Sequence, residues 1–151
     1  MIGIAMPIHK YQRVVTPGPN GATLYFRNTE TNDALELAEL DGWHYVFVPD
    51  GVTLPEQHAD IQWQDVTLTD ALKEQIKAAS RPCQLIAEAM QRRIRSVYSL
   101  EDEQYFARIG VGAALGVYAF QPGEQEALLA FGAHVEAVRQ WGRQEREKIG
   151  L

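Results

Sequence analysis

The residues in this chain whose types could do chemistry are four histidines (His9, His44, His58 and His134) and one cysteine, Cys83. A histidine serves as a metal ligand or a general base only when partners stand at fixed spacing around it. None of the four lies in a His-Glu-x-x-His motif or a Cys/His ladder. His58-Ala-Asp60 has ligand-like proximity but no third group. His44 falls on the strand face opposite a row of aromatics, so it is expected to face solvent. Cys83 sits on the apolar stripe of a helix, where a thiol is buried and inert; Arg81 alone does not make an activating environment. The Glu101-Asp102-Glu103 cluster has the composition of an acid/base pair. Its place is the first turn of a helix, where carboxylates complement the macrodipole. Walker A, Gly-x-Gly-x-x-Gly and Gly-x-Ser-x-Gly patterns are missing from the sequence. The residues therefore predict no catalytic, cofactor-binding or metal site and no enzyme.

The remaining candidates are contact surfaces. Arg92, Arg93 and Arg95 form a basic patch that either meets solvent beside Glu88 or docks an acidic surface, such as another copy's amino-terminal module. Gly112-Ala-Ala-Leu-Gly116 has Gly-x-x-x-Gly spacing inside the apolar run Val111–Phe120. That run is too short to span a bilayer, so its glycines are expected to allow close helix contact within the fold or between subunits. Gly112, Leu115, Gly116, Tyr118 and Phe120 are the expected interaction residues, with Trp63, Arg92, Arg93 and Arg95.

These positions need elements to hold them. Tyr11–Thr16 and Ala22–Arg27 are β-rich and separated by Pro17-Gly-Pro-Asn-Gly21. Asp41-Gly42, between Leu35–Leu40 and Trp43–Val48, predicts a type I′ hairpin. Alternation of Trp43, Tyr45 and Phe47 with His44 and Val46 places one face on a core and the other toward solvent or a partner. The expected sheet is small, antiparallel and three- or four-stranded. Pro49–Val66 reads as an irregular connector anchored by Ile61 and Trp63. Thr67-x-x-Asp70 predicts a capping box, and Ser80 caps a helix with Pro82 in its first turn. That helix carries Cys83, Ile86, Met90, Ile94 and Val97 as one stripe. Ser99-x-x-Asp102 caps the next, which is expected to run until Gln121-Pro122-Gly123 breaks it. A last helix presents Leu128, Phe131, Val135 and Val138, then Trp141, and its charged end Arg139–Lys148 is expected to extend into solvent. The sequence thus predicts an α+β fold: a β-rich module over 1–66 and a helical module of three to four helices over 67–151.

Charge narrows the partners. Residues 1–66 hold three basic residues against nine carboxylates, whereas 67–151 are balanced, giving −6 overall. An acidic module repels phosphate backbones, so the expected partner there is a basic protein and not nucleic acid. A lone cysteine excludes an internal disulfide, in keeping with synthesis in a reducing cytoplasm. Met1–Lys10 shows no basic region ahead of a long apolar core, so no signal peptide is expected. A membrane span is not expected either.

The run Ile94–Arg108 (I-R-S-V-Y-S-L-E-D-E-Q-Y-F-A-R) and the end Trp141–Leu151 (W-G-R-Q-E-R-E-K-I-G-L) resemble small tail-associated proteins of tailed bacteriophages. Leu54-Pro-Glu-Gln57 and the short helix after Thr67 extend the likeness over 54–110 and 131–151. Ile109–Gln125 departs from it, with a glycine-rich apolar piece where a short polar connection is usual. The resemblance implies a helical tail module, present as a structural adaptor at the tail tip or baseplate. Fibre, baseplate or tube subunits and further copies of the chain would be its partners. It implies no enzymatic activity, a virion-tail location and a host-cytoplasmic assembly stage. A tail-fibre assembly chaperone absent from the virion, or a small regulatory protein-binding domain, are the alternatives.

Overall fold

A computed structural model describes residues 7–151; the leader reading of Met1–Lys10 rests mostly on residues outside these. The order is β1 (Ile8–Gln12), β2 (Val14–Val15), β3 (Thr23–Leu24), β4 (Leu35–Leu40), β5 (Trp43–Phe47) and β6 (Gln64–Asp65). Four helices follow: α1 (Asp70–Ala79), α2 (Arg81–Arg95), α3 (Leu100–Ala114) and α4 (Glu124–Glu147). An antiparallel sheet in the amino-terminal half followed by four helices is the α+β class that the sequence predicts. Among the described residues, no helix is long and apolar enough to cross a membrane.

The chain does not divide at residue 66. One compact unit takes Met1–Gln84 together with Arg146–Leu151, and the other is Leu85–Glu145. The reason is packing: Leu68, Leu72, Ile76 and Cys83 bury against the sheet, joined by Ile149 and Leu151 from the far end of the chain. The charged end therefore does not simply project into solvent; its last residues return to a core.

In the first unit the sheet order is β4-β5-β1-β6, with β2 and β3 forming a separate two-stranded ribbon. The hairpin forms at Asp41-Gly42, both at positive φ (52° and 82°), as a type I′ turn requires. The face expected to meet solvent or a partner is instead covered from within the unit, so that both faces of β5 are buried. Tyr45 points into one cluster with Ile8, Leu37 and Ala38. Val46 points into another with Tyr11, Ala34 and Ile61. The second cluster exists because the 49–66 connector lies down on the sheet. The Gln57 side-chain amide both accepts from the Arg27 N–H (2.7 Å) and donates to the Arg27 carbonyl (2.8 Å). Farther along, the connector adds the two-residue edge strand β6, which is too short to show periodicity.

Local signals at the helix starts are met with one shift. Thr69, not Thr67, caps α1, its hydroxyl accepting from the Leu72 N–H. Ser80 ends α1 and starts α2, accepting from the Cys83 N–H at 3.3 Å. Ser99 and Asp102 form the reciprocal capping box of α3. In the second unit Ile94, Phe106, Ile109 and Val138 are buried. Around them Phe131 stacks on Phe106 and meets Tyr98 edge-on, each at 5.0 Å. The Met90 thioether packs over Gly142, where a Cβ would lie 2.4 Å from the sulfur and displace it. Val97 is not on the α2 stripe: the helix ends at Arg95 and Val97 is exposed.

Leu151→Ala should lower the stability of the first unit by about 2–5 kcal/mol, read as an earlier urea midpoint, because it empties a fully enclosed site. A solvated tail would leave the midpoint unchanged.

Candidate functional site

Two places gather the candidate residues, one in each unit. In the first unit, the second face of the sheet carries a row of rings. Trp63 stacks on His9 (5.2 Å) and Tyr11 (5.8 Å), and Tyr11 stacks on His44 (5.1 Å). Phe26 closes one side and Tyr25 meets His44 edge-on at 6.0 Å. Trp63 thus anchors the connector as expected of it. His44 is 4% exposed, contrary to the solvent-facing expectation, because Tyr25 and Tyr11 cover it.

A bulge in β4 builds the polar part of this face. Pairing with β5 shifts between Glu36 and Ala38, leaving Leu37 as the extra residue. Leu37 and Ala38 both turn to the first core. Glu36 and Glu39 consequently share the face of His44: Glu36 accepts from Nδ1, and Glu39 Oε2 stands 4.0 Å from Nε2. His9 Nδ1 meets Asp65 Oδ1 at 2.8 Å at the other end of the row. Burial raises the pKa of the Tyr11 hydroxyl; the Phe26 backbone opposes this, and Glu36, Tyr25 and Glu39 add to it. Among the described residues, no group of three His, Cys, Asp or Glu side chains is placed to hold a metal ion. Cys83 is buried.

The second place is α3 and the turn after it. The helix stops at Ala114, well before Gln121-Pro122-Gly123, because Gly116 takes φ +73° and ends it. Val117 N–H returns to the Gly112 carbonyl (2.9 Å) and Gly116 N–H to Ala113 (3.1 Å), a Schellman motif. Gly112 has its own reason: a Cβ there would lie 2.8 Å from the Tyr118 Cβ. The Gly-x-x-x-Gly spacing is therefore met within the unit, by a helix stop and a seat for Tyr118. Tyr118 then meets Phe120 edge-on at 6.3 Å. Tyr118 and Tyr105 hydroxyls and the Gln121 N–H all donate to the Glu124 carboxylate, which fixes the turn to α4.

Leu115 is 72% exposed and Val111 60% exposed. One face of α3 runs Leu100, Gln104, Ala107, Val111, Ala114 and Leu115, all exposed, while Phe106 and Ile109 bury the opposite side. A helix apolar on both sides is ordinarily covered on both. Of the basic patch, Arg93 lies 3.6 Å over the Trp141 ring and Arg95 pairs with Glu103 at 2.6 Å. Both are thus committed within the unit, and Arg92 is exposed. The sequence reading singled out Leu115 but missed the rest of this face, although the spacing of Leu100, Val111 and Leu115 already carried it.

Compared with known proteins, the chain matches no family, no curated sequence and no solved structure at a significant level.

Two predictions follow from the geometry. The raised Tyr11 pKa means that the unfolded chain ionises first, so this contribution is whole below about pH 10 and is lost as pH rises further. Tyr11→Phe should flatten that alkaline loss in denaturant titrations at pH 9–11 and change neutral stability by about 1 kcal/mol or less. Gly116→Ala should cost about 1–2 kcal/mol in thermal unfolding, since only the left-handed conformation closes the turn; an unchanged melt would contradict the assigned turn.

Proposed function

We propose that this chain is a non-enzymatic structural component of the kind its signature resembles in bacteriophage tails. In this reading it is an adaptor at the tail tip or baseplate, working in several copies and holding fibres or neighbouring tail subunits. The observation that carries the reading is the outward face of α3. Six exposed residues without a charge follow one another along about 22 Å of helix. Exposed apolar surface of this continuity marks a contact with another polypeptide.

The first occupant is a second copy of the chain. Antiparallel pairing about the point between Ala107 and Arg108 sets the end residues Leu100 and Leu115 against each other and Gln104 against Val111, with Ala107 meeting Arg108. A two-fold contact needs such self-complementarity. Small Ala107 falls at the axis, where two helices must approach most closely. The bacteriophage assignment is supported by the Ile94–Arg108 and Trp141–Leu151 signatures; α3 supports assembly.

Sedimentation velocity across 10–200 µM should show the wild type self-associating and Leu115→Asp monomeric, with the same far-UV circular dichroism. A strictly monomeric wild type at the highest concentration would overturn the self-association. A tagged copy should co-purify with assembled tails; its absence from particles would favour the chaperone reading.

A further inference from the structure

We infer that the carboxy-terminal cap of α3 is completed by a second copy of the chain, whose Val97 and Leu100 cover Val117. This deepens the self-association proposed above and rests on it. Gly116 ends α3 in a Schellman motif, where the residue after the left-handed glycine returns its N–H to the third residue from the helix end. Here Val117 donates to the Gly112 carbonyl at 2.9 Å. An apolar residue in the place of Val117 ordinarily closes such a stop by packing on the side chain of that third residue or the one before it. Gly112 has no side chain to offer, and a Cβ there would lie 2.8 Å from the Tyr118 Cβ. Val111 is itself exposed and does not enclose the valine. Val117 is consequently 80% exposed, the most exposed large apolar side chain among the described residues. The cap is closed in its hydrogen bonds and open in its apolar contact.

The other end of the same helix carries the complement. Val97 and Leu100 bracket the Ser99 cap and are each more than half exposed. The Val97 N–H donates to the Ile94 carbonyl and the Ser99 capping box fixes the helix start, so backbone hydrogen bonds hold this pair in place. The antiparallel pairing that sets Leu100 against Leu115 continues past the helix. It brings Val117 of one copy onto the Val97 and Leu100 end of the other. Two-fold symmetry makes the contact twice, once at each end of the paired helices. Residues 96–100 and 109–123 contain no Asp, Glu, Lys or Arg, so nothing repels the two ends from each other. The adjacent Arg95 is already paired with Glu103 at 2.6 Å. A charged partner would find no charge to recognise here, whereas the uncharged apolar end of a second α3 offers matching chemistry.

Single cysteines in the full chain separate this contact from the helix face on which it rests. A mixture of Val97→Cys and Val117→Cys should form the mixed disulfide-linked dimer rapidly under mild oxidation, as Ala107→Cys should by itself. Either end variant alone should link slowly. Affinity gives a second reading. Val117→Ala should weaken dimerisation about tenfold in sedimentation velocity, because the contact is lost at both ends of the dimer. It should leave the melting temperature of the monomeric Leu115→Asp chain unchanged, since Val117 has no apolar contact to lose there. Rapid linkage through Ala107→Cys with slow linkage of the mixture overturns the shared cap and keeps the α3 contact. Slow linkage at every position removes both. A Leu115→Asp chain destabilised by Val117→Ala would place the valine in its own unit and overturn the proposal as well.

Discussion

Water is kept off both faces of the four-stranded sheet, and β5 is where that double covering is concentrated. Tyr45 and Val46 are neighbours in sequence, yet each is buried in a different cluster. The first face is covered by α1, by Cys83 and by Ile149 and Leu151; the second is covered by the 49–66 connector through Ile61 and Trp63. Much of the unit's irregular structure is explained by this double covering. The Gln57 clamp on Arg27 holds the connector down, and the return of the chain end closes the other side. Ring stacking on the second face adds about 0.5–1.5 kcal/mol per pair to the area buried.

The same covering puts a histidine where few polar groups are tolerated. His44 is tolerable because the β4 bulge turns two carboxylates toward it, one of which accepts a hydrogen bond from Nδ1. A buried polar group is stable when partnered and costly when not. Glu39 stands 4.0 Å from the other ring nitrogen. In the second unit the unfinished element is α3, with Phe106 and Ile109 buried and the facing side exposed and largely apolar.

Signals carried by two to four consecutive residues were legible in the sequence. Asp41-Gly42 specified its hairpin and Ser99-x-x-Asp102 its capping box, because backbone geometry at those points is decided locally. Signals that depend on what lies opposite were not. His44 alternates with aromatics as a solvent-facing residue would, and only the distant 25–26 and 63 rings bury its face. Gly112 and Gly116 read as an interface pair because their spacing is the same whether a glycine seats another helix, ends its own, or makes room for Tyr118. The domain boundary moved from 66 to 84 because Leu72 and Ile76 bury against strands far from them in sequence. Leu115 was found from its apolar neighbours, whereas the arginines near it in the sequence reading proved partly committed to Trp141 and Glu103.

The central claim is that the outward face of α3 meets the same face of a second copy, and a cysteine placed on its axis tests this most directly. The native Cys83 is buried and contributes little background. Under mild oxidation, Ala107→Cys should form a disulfide-linked dimer rapidly, while a control cysteine at exposed Gln91 of α2 should react only at the collision rate. Equal slow rates at both positions would contradict the account.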